Sequence, residues 1–60
     1  MNWIAGIKKI NKANYKSDYP YCTNGRIDSK EKAINRAKKV FKKRKYSVNE
    51  YKIFVYESSI

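Results

Sequence analysis

Apolar and polar positions keep a helical period over one stretch of this chain, residues 28–45, DSKEKAINRAKKVFKKRK. At 100° per residue, Ala33, Ile34, Ala37, Val40 and Phe41 fall within an arc of about 120°, and Lys32, Asn35, Arg36, Lys38, Lys39, Lys42 and Lys43 occupy the rest. The pattern predicts an amphipathic helix with a cationic back. Asp28 is placed to accept hydrogen bonds from the first-turn amides, and Glu31, three residues on, to close a capping box. Both acids stand where the helix dipole favours negative charge, and Lys43, Arg44 and Lys45 stand where it favours positive charge.

The other segments are short and strand-like. Residues 3–10, WIAGIKKI, carry Trp3, Ala5 and Ile7 on one parity and Ile4 and Ile10 on the other, the two-faced pattern of a central strand. Ile4, Ile7 and Ile10 are also three apart, but Gly6 and a length of eight residues weigh against a helix. Residues 11–14, NKAN, form a turn, since Asn tolerates the left-handed conformation. Tyr15, Ser17, Tyr19 and Tyr21 then share a parity, which sets them on one face of an extended segment, and Pro20 confines that segment to an edge strand or an irregular arm. Thr23, Asn24 and Gly25 turn the chain towards the helix. After a connector at 46–49, residues 50–57, EYKIFVYE, alternate Tyr51, Ile53 and Val55 with Lys52, Phe54 and Tyr56, giving one apolar and one aromatic face. Residues 58–60 are expected to fray.

The order strand, strand, helix, strand predicts one α+β domain of ββαβ form spanning residues 1–60. A crossover through the helix makes the second and third strands parallel and places the first between them, a three-stranded sheet of order 2-1-3. One amphipathic helix then covers one sheet face. Phe54 and Tyr56, with Ile4 or Trp3, are left on the other, to be covered by the arm at 11–27, by a second copy or by a ligand.

Composition adds a constraint on partners. Sixty residues bury a small core, yet 42% hydrophobic and 15% aromatic content exceeds that of a disordered basic tail. The net charge is +10, and residues 28–45 hold nine Lys or Arg against two acids, whereas residues 46–60 hold one against two. Such a balance favours polyanions: nucleic acid, an anionic membrane or an acidic protein face. Twelve lysines, seven isoleucines, six asparagines and six tyrosines are also what A- and T-rich codons produce, so the placement of lysines is more informative than their number.

Several chemistries lack their residues. One cysteine, Cys22, and no histidine exclude an intramolecular disulfide and the usual zinc frameworks, and no cofactor is implied. Asp28 and Glu31 are explained by capping, Glu50 and Glu57 bracket a strand, and there is neither a nucleophile elbow nor a phosphate-cradling glycine loop, so no enzyme is expected. Cys22 beside basic residues could be an activated thiol but reads more simply as structural. The apolar run near Met1 is too short for a signal peptide or membrane span, and the helix's apolar side suits packing on the chain's own sheet better than a bilayer. The expected location is cytoplasmic, the host cytoplasm if a phage encodes the chain.

The residues that remain are those of a binding surface. Lys32, Arg36, Lys39 and Lys43 follow i, i+4, i+7, i+11 spacing along one helix edge, flanked by Lys38 and Lys42. A line of four cations on phosphate gives a log K against log salt slope of roughly −3.6 on duplex DNA. Lysine outnumbers arginine twelve to three, which suits backbone contacts rather than bidentate base reading. Tyr19, Tyr21, Phe54 and Tyr56, with Tyr15, could stack unpaired bases, anchor a protein interface or pack among themselves. The first reading is a non-enzymatic nucleic-acid-associated protein, DNA or RNA, open to homodimerisation. The second is a phage- or mobile-element-encoded inhibitor, anti-CRISPR-like, docking its aromatic sheet face on a host protein, an acidic patch or a nucleoprotein surface, with the lysines steering association.

Overall fold

A computed structural model of the chain describes residues 1–11 and 14–59. Strand β1 (Asn2–Lys9) is central, β2 (Tyr21–Cys22) and β3 (Tyr51–Ser58) flank it, and helix α1 (Lys30–Lys43) packs on one face. The order is β2-β1-β3, as the periodicity predicts, and both outer strands run antiparallel to β1 and so parallel to each other. The β1–β3 ladder is eight pairs long, from Asn2 opposite Ser58 to Lys9 opposite Tyr51. Ser58 therefore belongs to the ladder instead of fraying. Part of the 11–14 turn, Lys12 and Ala13, and the last residue, Ile60, lie outside the described residues.

Alternation along β1 sorts the two faces. Ala5 and Ile7 are fully buried towards the helix, and Ile27, Ala33 and Ala37 close the core, with Trp3, Tyr21, Ile53 and Val55 packed round it. Ala33 and Ala37 have no accessible surface, because side chains of a single carbon let the helix backbone approach the sheet closely. Ile34, Val40 and Phe41 flank them, partly buried.

The helix ends differ from expectation by small, explicable amounts. Its N-cap is Ser29 rather than Asp28: Ser29 is extended (φ −135°, ψ 130°) and its hydroxyl accepts from the Lys32 amide at 3.4 Å. The preceding Ile27 is held to the sheet, where its carbonyl accepts from the Trp3 amide at 2.8 Å, and Asp28 spans the gap. Asp28 instead pairs with Lys32 at 3.7 Å, in solvent. At the other end Lys45 adopts φ 55°. Its amide donates to the Lys42 carbonyl and the Tyr46 amide to the Phe41 carbonyl, both at 3.2 Å, while the Phe41 and Tyr46 rings meet at 5.9 Å. This is a Schellman closure with lysine where glycine is usual.

The arm before the helix departs most from a plain strand. Residues Lys16–Asp18 form a 3-10 turn, with the buried Asp18 carboxylate accepting from the Asn14 and Tyr15 amides at 3.2 and 3.0 Å. Beyond β2, the Thr23 hydroxyl accepts from the Ala5 amide at 3.1 Å while the Thr23 amide donates to the Ala5 carbonyl at 2.9 Å. Cys22 pairs with Gly6 and Ile27 with Trp3, so this edge makes an excursion two residues longer than the stretch of β1 it faces. Gly25 (φ 78°) folds the excursion onto the helix-free face, where a Cβ would come within 3.1 Å of Ile4 and Ser58. No helix among the described residues is long and apolar enough to cross a membrane.

Candidate nucleic-acid interface

Most of the residues singled out in the sequence fall on two surfaces separated by the thickness of the molecule, whose smallest Cα extent is 13 Å. The first is the outer face of α1. Lys32, Arg36, Lys39 and Lys43, with Lys38 and Lys42, are all exposed, held on that face because the Ala33 and Ala37 stripe fixes the helix's rotation on the sheet. The ion pair of Lys32 with Asp28, whose side chains are 71% and 79% exposed, is the one salt bridge among the described residues. An exposed pair of that kind contributes little and is screened by salt. The helix thus presents cations that the rest of the described chain does not neutralise.

The second surface is the sheet face opposite the helix. Phe54 stands across from Gly6 in the ladder, and its ring lies over the glycine: a Cβ there would meet Phe54 Cζ at 2.6 Å and the Tyr21 carbonyl at 2.3 Å. The absent side chain is what lets the aromatic ring settle against the sheet. The Tyr56 ring runs nearly parallel to it (16°) at 5.8 Å, and Tyr19 meets it edge-on at 5.9 Å. Tyr56 and Tyr19 are exposed, and the Lys8 ammonium lies 5.9 Å from the Phe54 centroid. An open concavity of about 470 Å³ is lined by Lys8, Tyr19, Cys22, Phe54, Val55 and Tyr56.

One expectation about this surface is corrected, and one of its alternatives is decided. Tyr15, Tyr19 and Tyr21 do not share a face, because the 3-10 turn at Lys16–Asp18 breaks the extended run. Tyr19 lands on the open face, whereas Tyr21, opposite Ile7, packs into the helix side. There Arg44 lies 6.0 Å from its ring and donates to the Pro20 carbonyl at 3.4 Å, so Tyr21 anchors the arm to the helix end and belongs to neither surface. Ile4, not Trp3, joins the aromatic face; Trp3 lies on the helix side beneath Lys30, 5.6 Å from its ring. Cys22 is exposed as a residue, but partial burial pushes its thiol above the ordinary 9.0, which keeps it neutral near pH 7 and opposes the activated-thiol reading.

Two surface residues escape sequence reasoning. Lys8 and Lys52 face each other in the β1–β3 ladder, on the aromatic side. The parity of Lys52 with Phe54 and Tyr56 is visible in the sequence, but its juxtaposition with Lys8 depends on the strand register. Compared with known families, with characterised proteins and with solved structures, the chain matches none.

Proposed function

We propose that this chain is a non-enzymatic nucleic-acid-binding domain that lays the Lys32, Arg36, Lys39, Lys43 edge of α1 along a phosphate backbone. The observation that carries the reading is the outer face of the helix: six exposed cations within three turns, of which Lys32 alone has an ion-pair partner among the described residues. Like charges at this spacing repel each other by a few tenths of a kcal/mol per pair, and a bound phosphate line relieves that repulsion. The shortage of arginine supports contact with backbone over base edges.

The test is duplex binding as a function of salt. The expected log K against log salt slope is roughly −3.6 or steeper, and replacing the four edge residues by glutamine is expected to remove most of it. Binding that ignores salt, or survives that replacement unchanged, rejects the reading. A second reading is favoured by the exposed Tyr19 and Tyr56 rings set against the half-buried Phe54, since aromatic anchors of this kind hold protein partners: an antagonist that docks on a host protein or nucleoprotein. A pull-down after nuclease treatment, at low and high salt, separates the two, because a protein anchored by aromatic contacts survives both treatments.

A further inference from the structure

The sheet face opposite α1 brings together two cations that the fold itself disfavours. Lys8 and Lys52 stand directly across from one another on adjacent antiparallel strands, where like charges destabilise the pairing, and neither has an ion-pair partner among the described residues. One step along the same face lie the parallel rings of Phe54 and Tyr56, with Tyr19 edge-on beside them, bordering the 470 Å³ concavity. A ligand that answers both halves of this arrangement must carry negative charge and a flat ring a short distance apart. An acidic peptide satisfies the lysines and leaves the rings unused. An apolar segment covers the rings and buries two unpaired ammonium groups, which is costly.

We propose that this face binds an unpaired nucleotide of single-stranded nucleic acid, its base laid in the concavity against the Phe54 and Tyr56 rings and its phosphate held between Lys8, which lines the concavity, and Lys52, which stands across from Lys8 outside it. Base–aromatic stacking beside a cationic track is how single strands are held without sequence preference, because every base offers a π-face. The nature of the polymer rests on the function proposed above. The site itself does not, since it lies across the sheet from the helix edge.

The test uses the full chain with two probes, an oligothymidylate of about eight nucleotides and a duplex of roughly twelve base pairs, followed by amide chemical-shift perturbation and by affinity. The oligothymidylate is expected to shift the resonances of Lys8, Lys52, Phe54 and Tyr56. The Lys8→Gln, Lys52→Gln double variant is expected to weaken oligothymidylate binding about tenfold while changing duplex binding less than about twofold, and to melt a few degrees higher because the facing charges are gone. Tyr56→Ser, at an exposed position, is expected to cost about fivefold or more on the single strand. Shifts confined to α1, or a double variant that loses no more affinity for the single strand than for the duplex, overturn the site. If the glutamine variant of the helix edge keeps full duplex affinity while the single strand still occupies the sheet face, the helix reading fails and this site stands.

Discussion

Lys45 and Gly6 show how much a single residue decides in a chain this small. Lys45 sits in the left-handed region at φ 55°, a conformation that costs a non-glycine residue roughly 1–2 kcal/mol, and it is tolerated because two amide bonds and the Phe41–Tyr46 contact close the helix there. Lys45→Gly is therefore expected to stabilise the fold by about 0.5–1 kcal/mol, the relief of strain being partly offset by the glycine's greater freedom when unfolded. A thermal melt should rise by roughly 2–8 °C; a fall would show that the left-handed turn is not strained. Gly6→Ala works in the opposite direction. Its Cβ would collide with the Tyr21 carbonyl at 2.3 Å as well as with the Phe54 ring, and backbone cannot rotate away as a ring can. A loss of about 1–3 kcal/mol is expected, with disturbance of the β1–β2 pairs visible in hydrogen exchange. An unchanged melt would show that β2 detaches freely.

Among the elements, α1 is held by contacts that allow almost no change in volume. Ala33 and Ala37 are wholly buried against the sheet, so Ala37→Leu must push the helix outwards and is expected to cost about 1–3 kcal/mol in denaturant unfolding, whereas the same change at exposed Lys38 should be near neutral. The helix stripe, the sorting of β3 into an apolar and an aromatic face and the central place of β1 are legible in the sequence, because periodicity and parity are local properties of the chain. The rest depends on contacts that periodicity and parity do not encode, either distant in sequence or made by a side chain to nearby backbone. The cap shifts to Ser29 because Ile27 is tied to Trp3; Tyr21 turns inwards because Asp18 gathers the Asn14 and Tyr15 amides into a 3-10 turn; Lys8 meets Lys52 because of the ladder's register. A lysine at the left-handed helix end gives no sequence signal, since the rule it breaks is a preference for glycine.

Across the whole molecule, charge outweighs every other unusual property. A net +10 on sixty residues, with one salt bridge among the described residues, leaves the compact state working against its own repulsion. Raising salt shortens the reach of that repulsion, the Debye length falling from about 30 Å at 0.01 M to about 8 Å at 0.15 M. The melting temperature is therefore expected to rise over this range, contrary to a fold held by surface ion pairs, and a flat or falling melting curve would show that the cations are locally compensated. Polyanions that bind the folded state add to the effect by mass action.

The two flanks of the sheet are unequal in a way that bears on assembly. On the β2 side the strand is two residues long, Pro20 offers no amide, and the excursion folded by Gly25 interrupts the edge. On the far side β3 runs eight residues without proline or glycine, in the chain segment where acids outnumber bases. A sheet with one long, regular edge can be extended there and nowhere else among the described residues. Two copies joined through that edge antiparallel, the Lys52 end of each beside the Glu57 end of its mate, use up both growth points at once. Such a union closes at six strands and cannot propagate into a fibre.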